Sequence, residues 1–414
     1  MTARLRRVAA RILAALFLLQ AVPGQAEPNR AILAAVEACG PDSRTLLEEL
    51  VAIDSGTGDA EGLARVGALY AARLRDLGAQ VRHIPSVAPA IGDNIVASFT
   101  GTGAGRILLI AHMDTVFTRG EVAARPPRWE GESFIGPGAG DDKSGGVTAL
   151  CALHALWTTG YRDFARIDVL LNASEETGSI GSRELIRRMA RAADVVINLE
   201  RGVPTDKVVA ARKGSAVLRM EFSGLAAHSG LEPQNGRNAA LEAARVALQL
   251  GQLADAASET TVTVTILSGG DKINVVPDHA MLRADVRAFT AGEFERVEQA
   301  AARIAASPAI DGVSITSALE RNFPPWPHAA STDDLVARAN RLYGELGRTI
   351  IGVSLGSSSD VAFAAETGTP AIDGFGMEGG GAHGPGDHAD FATLVPRAYL
   401  LARMLMDIGH SPPE

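Results

Sequence analysis

The chain has 414 residues, enough for two or three domains at ~150 residues each. Charged residues are 21% and hydrophobic residues 46%, a balance that excludes a disordered or fibrous chain. The net charge of −9 offers no basic excess for a phosphate backbone, which argues against nucleic acid as a partner. Two cysteines exclude a disulfide scaffold and a cysteine-rich zinc module.

Residues 1–26 differ from the rest. Arg4, Arg6, Arg7 and Arg11 precede an apolar run at 12–22, and small residues stand before a cut after Ala26. This is the layout of a secretory signal peptide, and the run is shorter than the ~20 apolar residues that span a bilayer. A retained N-terminal anchor is the competing reading. Cleavage would remove four arginines and no acids, taking the charge from −9 to −13. No second apolar stretch is long enough for a span. A soluble periplasmic or secreted protein is expected, with no stable membrane association after cleavage. Export permits a disulfide, but Cys151 falls in an apolar stretch at 147–156 that reads as a buried helix. Cys39 and Cys151 are expected to be free thiols.

Residues 30–78 read mostly as helix. Apolar runs follow at 107–111, 167–172, 195–199 and 371–375, with helical patterns at 145–158 and 182–190 between them. Continuous apolar strands separated by helices predict an α/β domain with a mostly parallel central sheet and helices on both faces. The middle differs. Strands at 215–222, 260–267, 280–288 and 313–317 alternate with helices at 238–253 and 294–306. That β-α-β-β-α-β order is ferredoxin-like. The expected organisation is a discontinuous catalytic domain, 27–212 and 320–414, with an inserted α+β domain at 213–319.

The chemistry lies after the apolar strands. His112 and Asp114 follow the first, Glu175 and Glu176 the second, and Glu200 the third. A glycine-rich loop leading to His383 follows the fourth, and "GPGAGDDK" with Asp141 lies between the first two. Ligands of open parallel sheets bind at the carboxyl ends of strands, so these groups should share one crevice. Imidazole and carboxylate without thiolate suit zinc, cobalt or manganese. A bridging carboxylate among five ligands suits two ions. The glutamate beside a ligand glutamate can take a proton from the attacking water. Each piece alone is commonly a surface turn or a solvated charge pair; their order after successive strands is what carries weight.

These motifs resemble the M20 family of co-catalytic zinc peptidases and amidohydrolases, within it the exported bacterial glutamate carboxypeptidases that cleave folates. The resemblance rests on "HMDTV" at His112, "GPGAGDDKSGG" at Gly136 and "EETGSIGS" at Glu175. It extends through "AAHSGLEPQNGRNA" at Ala226, "GGDKINVVP" at Gly269, "ADVR" at Ala284, "GSSSD" at Gly356 and "HGPGD" at His383. The likeness implies two Zn2+ per subunit, Co2+ or Mn2+ being possible substitutes. It implies that His112 and His383 each hold one ion, that Asp141 bridges, and that Glu176 and Glu200 supply terminal carboxylates. Glu175 is then the general base and later the acid. Asp114 should accept the second ring N–H of His112, and the Asp141–Asp142 peptide bond should be cis.

In the family the inserted domain is a lid and dimerisation surface. There His228 steadies the oxyanion in the partner's site, and Asn274 and Arg287 grip the substrate's carboxylate. Gly356 belongs to the loop approaching the substrate. The chain departs from the pattern in three places. Arg201 follows Glu200 where proline is usual, "GSSSD" replaces a glycine run, and "RNFPPWPH" at 321–328 carries one arginine where the carboxypeptidase likeness has two.

The expected function is zinc-dependent hydrolysis of an amide or peptide bond by a carboxypeptidase releasing a C-terminal amino acid. The substrate would be a small peptide or an N-acyl amino acid, and the enzyme a homodimer. An N-acyl-amino-acid deacylase on the same site is the alternative within this chemistry. A non-catalytic peptide or amino-acid carrier is the remote one.

Overall fold

A computed structural model describes residues 27–413. The proposed signal segment at 1–26 lies outside the described residues. Among the described residues no helix is long and apolar enough to cross a membrane.

The central sheet has six strands in the spatial order Gln80–Pro85, Asp93–Thr100, Arg166–Asn172, Arg106–His112, Val195–Asn198, Ala371–Ile372. The first two pairings are antiparallel and the remaining three are parallel. In the strand Arg106–His112 every residue after Arg106 is buried. That continuous apolar run belongs to a parallel strand covered on both faces. Helices Ala60–Asp76, Ser144–Thr158 and Leu394–His410 share the large core on one side, and Arg183–Ala190 and Val361–Ala365 pack a second core on the other.

The start of the helix Ser144–Thr158 shows why its sequence is Ser-Gly-Gly. A side chain at Gly145 would collide with the carbonyl of Leu199, and one at Gly146 would meet the Tyr70 ring at 2.6 Å. The Tyr70 hydroxyl donates to the Lys143 carbonyl at 2.8 Å. Close backbone approach therefore fixes the helix that follows the Asp141 loop.

The free-thiol expectation is corrected. Cys39 and Cys151 form a disulfide, with Cα atoms 5.8 Å apart and a sequence separation of 112. Cys151 is in a buried helix as expected, but Cys39 ends the helix Arg30–Ala38, which packs on that same helix. The pairing arises from a long-range contact invisible in local pattern.

The inserted unit is a four-stranded antiparallel sheet ordered Thr261–Gly269, His279–Ala288, Gly214–Ser223, Ser314–Phe323. Helices Ala239–Gly251 and Ala291–Ala305 cover one face, around Leu218, Phe222, Val246, Leu282 and Phe294. The strand His279–Ala288 alternates strictly, burying Ala280, Leu282, Ala284 and Val286. Period two places Arg287 on the face opposite this core. The last strand runs to Phe323, past the boundary expected at 319.

Candidate active site

The carboxyl ends of the parallel strands deliver the reactive groups. The strand Arg106–His112 ends in His112 itself; Arg166–Asn172 leads into the turn Glu175–Thr177; Val195–Asn198 leads to Glu200. Asp141 sits in the loop before the helix Ser144–Thr158, and the Asp141–Asp142 bond is cis. His383 comes from the glycine-rich loop after Ala371–Ile372, in a left-handed conformation with φ 63°.

Two three-residue sets meet at Asp141: His112, Asp141 and Glu200, and Asp141, Glu176 and His383. His112 Nε2 is 3.2 Å from Asp141 Oδ1 and 3.7 Å from Glu200 Oε1. His383 Nε2 is 3.4 Å from Asp141 Oδ2 and 3.1 Å from Glu176 Oε2. The two oxygens of Asp141 thus face two different sets. The donors are imidazole and carboxylate only, since both cysteines are tied up in the disulfide. This donor set, shared through one carboxylate, fits a pair of divalent cations.

Burial and close partners pull these groups in opposite directions. Burial pushes the Glu175 carboxyl well up, with His112 opposing and Glu200 and Asp360 adding to it. Burial and the Asp141 charge push Glu200 up to about 8. Asp141 moves the other way: burial raises it, but hydrogen bonds from His112 and His383 lower it further. His383 is raised to about 10 by Asp141 and Glu176. Carboxylates too close to ionise together divide into charged and neutral forms; a cation between them would favour the charged form of all.

His112 Nδ1 donates to the backbone carbonyl of Asp114 at 2.9 Å. That bond leaves Nε2 free as the ligand atom. The Asp114 carboxylate, expected to take this proton, stands farther off than that carbonyl. Its nearer oxygen is 3.5 Å from Nδ1. The fully buried carboxylate instead accepts from the backbone N–H of Glu175 (3.0 Å), the N–H of Glu176 (3.1 Å) and Thr57 Oγ1 (2.6 Å). Asp114 therefore fixes the turn that carries the base.

Beside the two sets lies a cavity of about 570 Å3 whose lining includes Asp141, Glu175, Arg287 and Gly356. Glu175, Glu176, Glu200 and His383 line it as well, so the proposed base, four metal-binding candidates and two of the substrate-binding candidates come together. His228 and Asn274 do not. His228 is exposed, and its Nδ1 accepts from the N–H of Gly230 and Leu231. Asn274 is exposed on the facing loop, where its carbonyl accepts from Ser229 N–H. Neither lines the cavity within one chain.

Three residues were missed in the sequence reading. Asp387 accepts from Gly138 N–H (2.7 Å) and Gly140 N–H (3.1 Å), holding the loop that aims Asp141. Burial pushes its carboxyl up to about 7. Its signal was present as the last residue of "HGPGD". Arg212 and Ser357 also line the cavity; Ser357 lies in the "GSSSD" motif, whereas no local motif marks Arg212.

The family model for peptidase family M20/M25/M40 matches residues 108–407. Carboxypeptidase G2 of Pseudomonas sp. (strain RS-16) is 36% identical over 369 residues, covering 88% of each chain. Aminopeptidase PepT of Bacillus cereus superposes with a TM-score of 0.73 at 22% identity, over 89% of this chain and 98% of that one. The Bacillus subtilis YXEP protein, a dinuclear metal-binding peptidase of the M20 family, superposes with a TM-score of 0.67 at 14% identity, over 91% and 99%. The chain belongs to peptidase family M20/M25/M40 and is a metallo-hydrolase of that family.

Proposed function

We propose that the enzyme is a two-zinc carboxypeptidase that releases the C-terminal amino acid of a small peptide or N-acyl amino acid. The observation that carries this reading is the cavity lined by Glu175, Asp141, Glu176, Glu200, His383 and Arg287. The 36% identity to Carboxypeptidase G2 supports it. His112, Asp141 and Glu200 would hold one ion, and Asp141, Glu176 and His383 the other. Zinc bound there supplies Lewis-acid polarisation of the scissile carbonyl and lowers the pKa of water.

The chain's own residues supply the rest. Glu175, buried and fixed by Asp114 through its backbone, takes the proton of the attacking water and returns it to the departing nitrogen. Arg287 is anchored through Nε to Asp285 at 3.0 Å and offers its terminal nitrogens to the substrate carboxylate.

His228 and Asn274 would reach the site from a second copy. Exposed Leu231, Leu241, Leu248, Ile266 and Leu267 stud the inserted unit beside its edge strand Thr261–Gly269. An apolar face with an open strand edge suits pairing between two copies. Export of the mature chain to the periplasm or medium belongs to the same reading, and a disulfide suits an oxidising compartment.

The test is release of free amino acid from C-terminal peptides, acyl-glutamates and simple N-acyl amino acids, with zinc and after chelation. Chelator-sensitive release from peptides or acyl-glutamates is the expected result. Release only from simple N-acyl amino acids would make the enzyme a deacylase. No metal-dependent release from any substrate would remove the hydrolase mechanism.

A further inference from the structure

Arg212 ends the strand Lys207–Arg212, which pairs in parallel with Ile351–Leu355, Arg212 lying opposite Leu355. The chain after Leu355 therefore passes over the Arg212 side chain. That side chain is 4% exposed. Its Nε donates to Asp373 Oδ2 at 2.6 Å and its Nη1 to Ser357 Oγ at 2.7 Å. Asp373 is itself fully buried and accepts also from Asn198 Nδ2 (3.0 Å), Ser359 Oγ (2.8 Å) and Gly374 N–H (2.5 Å). The guanidinium is thus held from one side. Its Nη2 has no protein acceptor among the described residues, and Arg212 lines the cavity beside Glu175 and Glu200. A nearly buried guanidinium with an unused terminal nitrogen at a cavity wall is a site for an anionic oxygen.

Arg287 repeats the arrangement next door. Its Nε is fixed by Asp285, and its Nη1 lies 3.4 Å from Ser358 Oγ. The two arginines are steadied by consecutive serines of one loop, the "GSSSD" segment. Both arginines line the same cavity, so two carboxylates of one amino acid can each meet a guanidinium there. Arg201, the other arginine on the lining, stands 3.6 Å from Asp141 Oδ2, on the reactive side.

We propose that Arg212 is a substrate-binding residue that takes a second carboxylate on the leaving amino acid, so that the enzyme favours substrates ending in a dicarboxylic residue. The inference rests on the carboxypeptidase reading, in which Arg287 takes the α-carboxylate. It places the selecting cation on the strand before the inserted unit rather than at 321–328. There Arg321 pairs with Glu298 on the inserted helix and does not line the cavity.

The experiment compares kcat/KM for an acyl-glutamate and the matching acyl-glutamine, in the zinc-loaded wild type, Arg212→Gln and Ser357→Ala. Calorimetric titration with free glutamate and free glutamine accompanies it. The wild type should prefer the acid by about 10²-fold, the scale of a hydrogen bond to a charged group. Arg212→Gln should collapse that ratio to within a few-fold, mainly through KM, and abolish the preference for free glutamate. A wild-type ratio near one, an unchanged ratio in the variant, or equal loss on both substrates would overturn the assignment. If Arg212→Gln fails to fold, Ser357→Ala decides. Its ratio should fall about tenfold, the effect of one lost orienting hydrogen bond, and an unchanged ratio overturns the assignment. If no substrate is hydrolysed the carboxypeptidase reading fails by itself, and the calorimetry still decides whether Arg212 recognises the acid.

Discussion

The two units of this chain store opposite kinds of incompleteness. In the catalytic unit the crevice holds His112, Asp114, Asp141, Glu175 and Glu200, none more than 8% exposed. Their charges are balanced only in part by one another. The inserted unit has an almost wholly apolar core, Glu242 being its one fully buried acid, and that acid is satisfied by Arg245 and two backbone N–H groups. Its surplus is outside, in leucines and isoleucines facing solvent. Parallel strands buried on both faces can end in polar groups only where a crevice receives them. An antiparallel sheet covered on one face leaves its other surfaces available to a partner. On the proposed reading, one unit is completed by cations and the other by protein surface.

The largest test of that contrast is Glu175→Gln. It should lower kcat by about 10²–10⁴-fold while two metal equivalents stay bound, measured by elemental analysis beside steady-state kinetics. Equal activity would mean the base lies elsewhere. Next comes metal removal. Chelation should lower the melting temperature, with the change arising in the catalytic unit, because cations held at ~1,000 times Kd stabilise by about 4 kcal/mol. An unshifted melt would show that the crevice is self-sufficient.

Replacing both cysteines by serine should cost about 2–5 kcal/mol, the usual range for a native disulfide. The loss should again fall on the catalytic unit, read by denaturant melts that follow the two units separately. Leu248→Glu, at a position 76% exposed, should leave the fold of one chain intact. It should shift a dimer to a monomer in sedimentation and reduce turnover through loss of the partner's His228. A dimeric variant would dissolve the proposed role of this face.

The smallest effect concerns Glu293. Hydrogen bonds from Arg296, Thr260 and Ser258 hold its carboxyl down to about 2. A depressed folded-state value contributes stability that is present above pH ~4.5 and lost as pH falls toward 2. At this partly exposed site solvent screening limits it to under about 1 kcal/mol. Glu293→Gln should therefore be slightly less stable than wild type at pH 7 and equal to it near pH 2.

The metal-binding candidates were legible because each follows a recognisable strand or sits in a dense motif. The sheet class was legible because parallel strands are written as unbroken apolar runs. What failed was long-range. Cys39 meets Cys151 through helix packing. Arg212 acquires its setting from Asp373 and Ser357, 161 and 145 residues away. Asp114 was placed beside His112 as expected, but its own backbone carbonyl lies nearer to Nδ1 than its carboxylate does, and sequence does not rank the two. His228 and Asn274 were assigned to the site by resemblance alone, and neither lines the cavity within one chain.

One detail of the inserted sheet bears on how such an enzyme can be taken apart. Its entering and leaving strands are hydrogen-bonded neighbours, with Ser215 opposite Phe323. The insertion therefore begins and ends at a single place. Severing both strands there would release a module whose two ends lie side by side. A gene fragment closed by a short turn could express it alone, and another module with similarly spaced ends could be spliced into the gap.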